Sequence, residues 1–436
     1  MAGYYIKTFG CQMNENDSEK IAGLLEGMGY QKVPTAENAQ IVVLNTCSVR
    51  ENANDKFFGH LGQLKSLKRD NPEAIIATCG CMMQQEHVVD RIREKHPFVD
   101  IVFGTHNIQS FPLLLARCKA SRAKAYEVLA DGALAEGLPT VRAYRHKAYV
   151  TVMNGCDNFC TYCIVPHTRG REKSRSSKDI LKEIECLAND GVKEIMLLGQ
   201  NVDSYGKKPG KEISFAKLLS RAAKVEGIER VRFMTSHPND FSEDILEAML
   251  MHPNICPNIH LPVQSGSSRI LKAMNRRYDR EGYIALTKKI RSALKNATIS
   301  TDIIVAFPGE TERDFEDTLE TVEECSFESA FTFLFSPREG TKASEMDGQI
   351  PKEIANERFS RLTDLLHSIM AQKAQSYVGS IQEVICDDAS ATDPSLMCGR
   401  TANNKLVNFS GVCKQGETVN VRIDRAHTFY LSGESV

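Results

Sequence analysis

The sequence predicts an α/β chain in three parts: an N-terminal open parallel sheet, a central partial barrel of six βα units, and a small C-terminal all-β barrel. Three observations predict it. Short apolar runs alternate with helical patterns up to about residue 120, a second alternation begins near residue 149, and only short strands separated by turns follow residue 374. The expected boundaries are 1–120, a linker at 121–141, 142–373 and 374–436.

The composition is that of an ordinary globular protein. The 436 residues are 42% apolar and 25% charged, with a net charge of −2. We find no apolar run long enough to cross a bilayer and no signal-peptide pattern, so we expect a cytoplasmic protein that does not bind membranes. In such a protein, fourteen cysteines indicate metal or redox chemistry rather than disulfides. Because the net charge is so small, any RNA must be bound by local basic patches.

Three cysteines follow the first three predicted strands of the N-terminal part. The strands are predicted at residues 4–8, 41–45, 74–78 and 100–103, with helices at 16–28, 50–69 and 84–95. Cys11, Cys47 and Cys81 lie just beyond the first three strands. Because parallel strands end at one edge of a sheet, these thiols are expected to converge there. The alternative is three inert buried thiols, and Cys79 competes with Cys81 as the third member.

The central part shows six strand patterns with helices between them. The strands are predicted at residues 149–152, 194–198, 230–235, 259–263, 299–305 and 330–335. The helices are predicted at 177–189, 213–225, 279–294 and 312–324. Six such units fit a partial barrel smaller than the closed eightfold form, with its chemistry at the C-terminal mouth.

The loop after the first barrel strand carries a C-x3-C-x2-C pattern formed by Cys156, Cys160 and Cys163. Three thiolates can hold three irons of a 4Fe–4S cluster and leave the fourth iron open to a ligand. The alternative is structural zinc, which needs four ligands. No second cysteine pair lies nearby, although His167 is a candidate fourth ligand. The open-iron interpretation fits the spacing better.

The pattern of short strands in the C-terminal part predicts a five-stranded, OB-like barrel. Its strands are expected at residues 381–387, 396–401, 405–410, 418–423 and 428–431. Barrels of this kind often bind nucleic acid. The part is not basic, so RNA binding here rests on shape alone.

The chain resembles the radical S-adenosylmethionine methylthiotransferase family, and within it the tRNA-modifying MiaB type. The resemblance runs almost end to end. Its motifs are Thr8-Phe-Gly-Cys-Gln-Met-Asn-Glu15, Asn45-Thr-Cys-Ser-Val-Arg-Glu51, Gly80-Cys-Met82, the loop at 155–163 with Pro166 and Thr168-Arg-Gly170, Leu197-Leu-Gly-Gln-Asn201, His260-Leu-Pro-Val-Gln-Ser-Gly266, Phe307-Pro-Gly-Glu-Thr311, Ser336-Pro-Arg338, Gly399-Arg-Thr401 and Val407-Asn-Phe409. The last part looks like a TRAM domain, a tRNA-binding module.

The resemblance implies two 4Fe–4S clusters and S-adenosylmethionine as cofactors. Cys156, Cys160 and Cys163 would hold the radical-generating cluster, while Cys11, Cys47 and Cys81 would hold an auxiliary cluster that carries the sulfur. One S-adenosylmethionine would methylate that sulfur, and a second would supply the 5′-deoxyadenosyl radical. The implied product is a methylthio group on carbon 2 of N(6)-isopentenyladenosine at tRNA position 37, with an electron donor and a sulfur source as further, unidentified partners.

Further residues are expected at the cofactor and the RNA. Cofactor contacts are expected at Gly199, Gln200, Asn201, His260, Gln264 and Asp302, although a βα turn or a barrel-end hydrogen-bond network explains them as well. The family usually has glycine where this chain has Ala306. Basic groups expected to contact RNA include Arg169, Arg171, Lys173, Arg175, Arg276 and Arg277, with a solvated face as the alternative.

Two other functions remain open on the sequence. The same chemistry on threonylcarbamoyl-adenosine tRNA or on a ribosomal protein is the nearer alternative. A zinc-dependent RNA-binding protein without catalysis is the more distant one.

Overall fold

A computed structural model describes residues 2–48, 51–132, 136–208 and 212–436. The chain divides into two compact units. The N-terminal unit comprises Met1–Ala143, Met153–Asp157 and Cys163–Arg175. The C-terminal unit comprises Tyr144–Val152, Asn158–Tyr162 and Ser176–Val436.

The N-terminal unit is built on a six-stranded sheet in which all neighbouring strands are parallel. Its strands are β1 (Gly3–Phe9), β2 (Gln31–Lys32), β3 (Ile41–Thr46), β4 (Ile75–Gly80), β5 (Ile101–Phe103) and β6 (Ala125–Glu127). The order across the sheet is β2-β1-β3-β4-β5-β6. The central strands β3 and β4 are buried along their whole length, as continuous apolar runs in parallel sheets are.

Helices connect these strands and cover both faces of the sheet. They are α1 (Gln12–Gly27), α2 (Glu51–Asp70), α3 (Glu86–Lys95) and α4 (Phe111–Ser121). One apolar cluster joins Ile21 and Leu25 of α1 to Phe111 and Leu115 of α4. A second cluster lies on the other face and includes Phe57 of α2. The predicted open parallel sheet is confirmed.

Parts of the predicted linker at 121–141 belong to the folded N-terminal unit. Strand β6 lies inside that range and pairs with β5, and Leu138 and Val141 pack against the core of the same unit. The Val141 N–H donates to the Glu19 carbonyl at 3.0 Å. The polar edge strand was missed because three residues carry no apolar period.

The central part begins with β7 (Lys147–Thr151), and the cysteine loop follows. The loop region contains β8 (Met153–Asn154), α5 (Val165–Thr168) and β9 (Lys173–Ser174). Strands β8 and β9 pair antiparallel within the N-terminal unit.

Six parallel strands form the central architecture of the C-terminal unit, in two sheets of three. One sheet has the order β11-β10-β7 and the other β12-β13-β14. The further strands are β10 (Glu194–Leu198), β11 (Arg230–Phe233), β12 (Asn258–His260), β13 (Thr298–Val305) and β14 (Ser329–Leu334). The Ser236 N–H donates to the His260 carbonyl at 3.2 Å, so the ends of β11 and β12 are connected.

Helices alternate with these strands as predicted, and three more complete the set. They are α6 (Ser177–Asn189), α7 (Phe215–Ala223), α8 (Glu243–Met251), α9 (Ser268–Ala273), α10 (Arg280–Ala293), α11 (Glu312–Cys325) and α12 (Lys352–Gln375). Helix α11 begins with a capping box between Thr311 and Asp314. Helices α8, α9 and the long α12 are not among the helices predicted from the sequence.

The C-terminal strands form a closed barrel in the order β15-β16-β17-β19-β18. They are β15 (Ile381–Ala389), β16 (Met397–Thr401), β17 (Leu406–Ser410), β18 (Thr418–Ala426) and β19 (Leu431–Ser435). The last strand was predicted at 428–431 and lies further along the chain. Arg232 of β11 donates to the carbonyls of Thr401 and Ala402, each at 2.8 Å, and so connects the small barrel to the six-stranded part.

A search of the described helices for one long and apolar enough to cross a bilayer found none.

Candidate active site

The three N-terminal cysteines lie at one edge of the sheet, at the ends of neighbouring strands. Cys47 directly follows β3, Cys81 directly follows β4, and Cys11 is the N-cap residue of α1, two positions after β1. Strands β1, β3 and β4 are adjacent in the sheet, and adjacent strands lie about 4.8 Å apart. The sheet therefore brings together thiols from three distant parts of the chain. Cys79 lies within β4, and Cys81 begins the following turn, as expected.

Two glycines allow the backbone to pass close to this edge. Gly80 has φ +99°, and a Cβ there would lie 2.3 Å from the Thr46 carbonyl oxygen and 2.4 Å from Asn45 Oδ1. A Cβ at Gly10 would lie 2.8 Å from Cys47 Cβ. Only glycine fits such approaches without displacing backbone. The glycines beside Cys11 and Cys81 thus permit the convergence of the cysteine loops.

A buried asparagine pair fixes the chain beneath the cysteines. Asn14 and Asn45 are both fully buried. Asn14 Nδ2 donates to Asn45 Oδ1 at 3.1 Å, and Asn45 Nδ2 donates to the Asn14 carbonyl at 2.8 Å and to Ser18 Oγ at 2.9 Å. Cys11 Sγ lies 3.4 Å from Asn14 Oδ1. The network ties the start of α1, with Cys11, to the end of β3, just before Cys47.

The thiols interact with each other electrostatically. A hydrogen bond with Cys47 is the largest cause that lowers the pKa of Cys11 to about 6, and the Arg169 guanidinium lowers it further. Burial raises the pKa of Cys81, and Arg169 opposes that rise. Burial also raises the pKa of Cys79. The site thus favours thiolate at Cys11, and thiolates are the ligands that iron–sulfur clusters use.

Arg169 reaches this cysteine site from the segment after α5. Its Nε donates to Cys81 Sγ at 3.0 Å, and its Nη2 donates to Asp17 Oδ2 at 2.7 Å. The side chain is buried, with 4% of its surface exposed. Thr105 Oγ1 donates to the Thr168 carbonyl at 3.1 Å and so holds the preceding residue. This contact could not be predicted from the sequence, because Asp17 and Arg169 lie far apart in the chain.

The ends of the C-x3-C-x2-C loop belong to the N-terminal unit. Gly155 has φ +78°, and a Cβ there would lie 2.3 Å from the Arg171 carbonyl oxygen. The Cys156 N–H donates to the Gly170 carbonyl at 3.2 Å. Asp157 Oδ1 accepts from Arg171 Nε at 2.7 Å. The loop is therefore held at Cys156 by the backbone of 170–171.

The middle of the same loop belongs to the C-terminal unit. The Thr161 N–H donates to the Met274 carbonyl at 3.0 Å, and the Ala343 N–H donates to the Thr161 carbonyl at 2.9 Å. Arg276 Nη1 lies 3.5 Å from Cys160 Sγ. Residue 160 is thus held by the segment that follows α9.

Three of the predicted cofactor residues are in direct contact where the end of β12 lies beside the middle of β13. His260 Nε2 lies 3.5 Å from Asp302 Oδ2, while its Nδ1 is 3.1 Å from Ser300 Oγ. The Gln264 N–H donates to the Asp302 carbonyl at 2.8 Å. Gln264 has φ +68°, a conformation rare outside glycine. These contacts connect the C-terminal end of β12 and the segment after it to the middle of β13.

The predicted turn at 199–201 lies at the end of β10, beside a buried acidic group. Asn201 Nδ2 donates to Asp240 Oδ2 at 2.6 Å, and its buried Oδ1 has no hydrogen-bond partner among the described residues. Asp203 accepts from Ser236 Oγ at 3.1 Å and from the His237 N–H at 3.2 Å. Burial raises the pKa of Asp203 to about 8. The unpaired amide oxygen of Asn201 is a ready acceptor for a ligand donor group.

Ala306 keeps a glycine-like backbone where the family usually has glycine. Its φ is +63°, and its N–H donates to Glu310 Oε1 at 3.1 Å. An alanine in this left-handed region costs about 1–2 kcal/mol relative to the right-handed region. The hydrogen bond to Glu310 therefore holds Ala306 in a conformation that favours glycine.

Five of the six residues predicted to contact RNA have a partner within the protein, among them Arg171, which pairs with Asp157. Arg169 and Arg175 are buried, Arg175 against Glu136 at 3.3 Å, and Arg276 is half-buried against Cys160. A buried guanidinium has no access to a phosphate, so the structure does not support an RNA contact at Arg169 or Arg175, and RNA contact by the set stays a prediction. Arg171, Lys173 and Arg277 are exposed or half-exposed. Lys173 pairs with Asp131.

Among the described residues, no group of three or more His, Cys, Asp or Glu side chains is placed to hold one metal ion. A cubane cluster differs from a single ion in having four irons.

Three family models match successive parts of the chain. The model described as "Uncharacterized protein family UPF0004" matches residues 3–104. The Radical SAM superfamily matches residues 150–322, and the TRAM domain matches residues 375–436. These ranges correspond to the parallel sheet, the six-stranded part and the small closed barrel.

Curated relatives match nearly the whole chain. A tRNA-2-methylthio-N(6)-dimethylallyladenosine synthase of Clostridium perfringens is 52% identical over 435 residues, which is 99% of this chain and 97% of the relative. One from Alkaliphilus oremlandii is also 52% identical, over 99% of this chain and 92% of the relative. The chain belongs to the tRNA-2-methylthio-N(6)-dimethylallyladenosine synthase family. It is an enzyme of the radical S-adenosylmethionine superfamily.

Solved structures share the fold of this synthase family at low sequence identity. The radical S-adenosylmethionine methyltransferase TsrM of Kitasatospora setae has a TM-score of 0.57 and 12% identity, covering 88% of this chain and 81% of that chain. The cobalamin-dependent radical enzyme OxsB has a TM-score of 0.53 and 12% identity, covering 85% and 58%. These likenesses show the fold alone, and the predicted fold class is confirmed.

Proposed function

We propose that this protein adds a methylthio group to carbon 2 of N(6)-isopentenyladenosine at position 37 of tRNA. The observation that carries the proposal is the convergence of Cys11, Cys47 and Cys81 on three adjacent strand ends, in a chain that also has the Cys156–Cys163 loop. One set of three cysteines serves a radical generator, and the second set distinguishes sulfur transfer from other radical chemistry. The whole-chain likeness to the named synthases supports the substrate.

The donor set fits the two proposed 4Fe–4S clusters. Cys11, Cys47 and Cys81 would hold the auxiliary cluster, and Cys156, Cys160 and Cys163 the other. The lowered pKa of Cys11 favours the thiolate that iron requires. When bound, the clusters and S-adenosylmethionine supply the sulfur, the methyl group and a 5′-deoxyadenosyl radical.

The chain's own residues would bind and orient the cofactor at the strand ends of the C-terminal unit. Asn201 offers an unpaired, buried amide oxygen as an acceptor. The His260–Asp302 contact fixes the imidazole, and the Gln264 backbone is anchored to β13 on both sides. Gly199 and Gln200 precede Asn201 in the same turn. Rigid positioning of this kind lowers the entropic cost of reaching a reactive geometry.

The tRNA would be held by the basic residues that remain accessible and by the small barrel. Arg171, Lys173 and Arg277 are the residues of the predicted set that keep this role. For each phosphate contact that is lost, nearly one fewer counterion is released on binding, so the affinity depends less steeply on the salt concentration. The electron donor and the sulfur source stay unidentified partners of the proposed reaction.

Nucleoside mass spectrometry of tRNA from a strain that lacks this gene tests the substrate. We expect the 2-methylthio-isopentenyl nucleoside to vanish and to return when the wild-type chain is expressed. A Cys11→Ala chain, produced at the same level, should fail to restore it. Loss of the threonylcarbamoyl analogue, or of a ribosomal-protein modification, would assign the chemistry to a different target.

Anaerobic purification tests the two clusters. About eight irons and eight sulfides per chain are expected, against about four if only one cluster forms. A colourless protein containing zinc would contradict the enzyme proposal.

A further inference from the structure

Each proposed cluster site contains an arginine aimed at one cysteine sulfur. In the N-terminal unit Arg169 donates to Cys81, and in the C-terminal unit Arg276 donates to Cys160. Both arginines belong to the set predicted from the sequence to contact RNA. The structure instead gives each of them a thiol partner and a set of contacts that hold the guanidinium in place.

Arg169 is held by an acid and by the fold. Asp17 Oδ2 accepts from its Nη2 at 2.7 Å, and both side chains are buried, at 4% and 7% exposed. With Nη2 held in this way, the Nε–H is directed at Cys81 Sγ, 3.0 Å away. Asp17 lies on α1, one and a half turns after Cys11. The ion pair therefore connects the helix that begins at Cys11 to the guanidinium that contacts Cys81.

Arg276 is held by a carbonyl and a phenol. Its Nη2 donates to the Pro262 carbonyl at 3.0 Å, and its Nε donates to Tyr278 Oη at 2.8 Å. Tyr278 Oη in turn lies 2.9 Å from the Val263 carbonyl. Among the described residues no acid is bonded to Arg276, and its Nη1 lies 3.5 Å from Cys160 Sγ.

A cation that donates a hydrogen bond to a thiolate ligand stabilises the more negative state of a cluster. Hydrogen bonds to sulfur, net charge and solvent exposure are the means by which a protein sets a cluster's reduction potential. Charge-assisted bonds are the stronger ones, and a buried site screens them little. Arg169 differs from Arg276 in having an acid partner, which offsets part of its charge.

We propose that Arg169 and Arg276 are positioning residues that hold Cys81 and Cys160 and set the reduction potentials of the two clusters independently. This inference rests on the proposed function, since it needs both clusters. The guanidinium of Arg276, without a bonded acid, raises the potential of its cluster more than Arg169 raises that of the auxiliary cluster. Neither residue touches the substrate in this role.

Full-length chains that keep one cluster each separate the two effects. The triple variant with Cys156, Cys160 and Cys163 changed to alanine keeps the auxiliary site, and the one with Cys11, Cys47 and Cys81 changed keeps the other. Arg169→Gln and Arg276→Gln are made in the matching backgrounds, reconstituted with iron and sulfide, and titrated against potential with electron paramagnetic resonance. Iron per chain is measured alongside.

We expect each glutamine variant to make reduction of its own cluster at least tenfold less favourable, which for one electron is about 59 mV towards negative potential. Arg230→Gln is the matched control, because Arg230 is equally buried but donates to the Arg400 carbonyl and to Glu383. It should leave both potentials unchanged. The proposal would be overturned if the equilibrium constant for cluster reduction changed less than threefold in an iron-loaded Arg169→Gln or Arg276→Gln chain.

A glutamine variant that fails to take up iron is replaced by the lysine variant. Lysine keeps the charge but cannot reproduce the planar fork that bonds two partners at once. Arg169→Lys should therefore load iron and show a smaller shift in the same direction, and a wild-type potential would refute the inference. Absence of iron from both parent triple variants would instead refute the proposed function.

Discussion

Removing the Asn45 side chain should loosen the cysteine edge of the N-terminal sheet. Asn45→Ala deletes two donated hydrogen bonds, to the Asn14 carbonyl and to Ser18 Oγ, and one accepted from Asn14 Nδ2. At about 1 kcal/mol net for each, the loss is about 3 kcal/mol. Asn14 Nδ2 keeps the Thr46 carbonyl at 3.3 Å, and Ser18 keeps Thr8, so few groups are left wholly unpaired.

Hydrogen exchange read by mass spectrometry measures that loss where it occurs. Peptides covering β1 and β3 should exchange on the order of a hundredfold faster, because about 1.4 kcal/mol is a factor of ten in an equilibrium. Iron per chain should fall as well. Asn38→Ala is the control, since Asn38 is exposed in the same unit and should change stability by less than about 0.5 kcal/mol. Exchange within threefold of wild type in Asn45→Ala would refute the role of the network.

Three further changes test other features. Gly80→Ala places a Cβ 2.3 Å from the Thr46 carbonyl oxygen, so iron per chain should drop while the loop cluster stays loaded. Arg232→Met removes two bonds to the small barrel and the ion pair with Glu194 of β10, so faster hydrogen exchange in β16 and β10 would confirm the connection, whereas unchanged exchange in β16 would contradict it. Asp203 has its folded pKa raised to about 8, so its contribution to stability is present below about pH 4 and is lost as the pH rises towards 8. In Asp203→Asn, the free energy of unfolding measured by denaturation should decline less steeply between about pH 4 and about pH 8 than in the wild type. A pH profile identical to that of the wild type would refute the raised pKa of Asp203.

The sequence predicted the buried parts of the fold better than its edges. Strand β3 is a continuous apolar run, and such runs are read easily in parallel sheets. The edge strands β2 and β6 are two and three residues long, too short for any period to show. The long helix α12 buries Leu362, Leu366 and Met370 at four-residue spacing. This spacing is visible in the sequence and is typical of a helix with one buried face.

The candidate site was predictable in its cysteines and less so around them. The strand-end positions of Cys11, Cys47 and Cys81 follow from chain order alone, because parallel strands end together. Arg169 was assigned to RNA because a sequence shows a side chain's charge but not its partner. Its partner Asp17 lies in a helix that only the folded sheet brings near.

The placement of the three N-terminal cysteines has a consequence for the lifetime of the chain. Cys11, Cys47 and Cys81 sit on three separate βα units, so a cofactor held by all three acts as a cross-link between distant segments. Binding free energy at such a site becomes folding free energy, and closing long loops lowers the entropy of the unfolded chain. Iron starvation would then do more than silence the enzyme. Unloaded chains would open more often, be cleaved by proteases, and lower the amount of the protein itself.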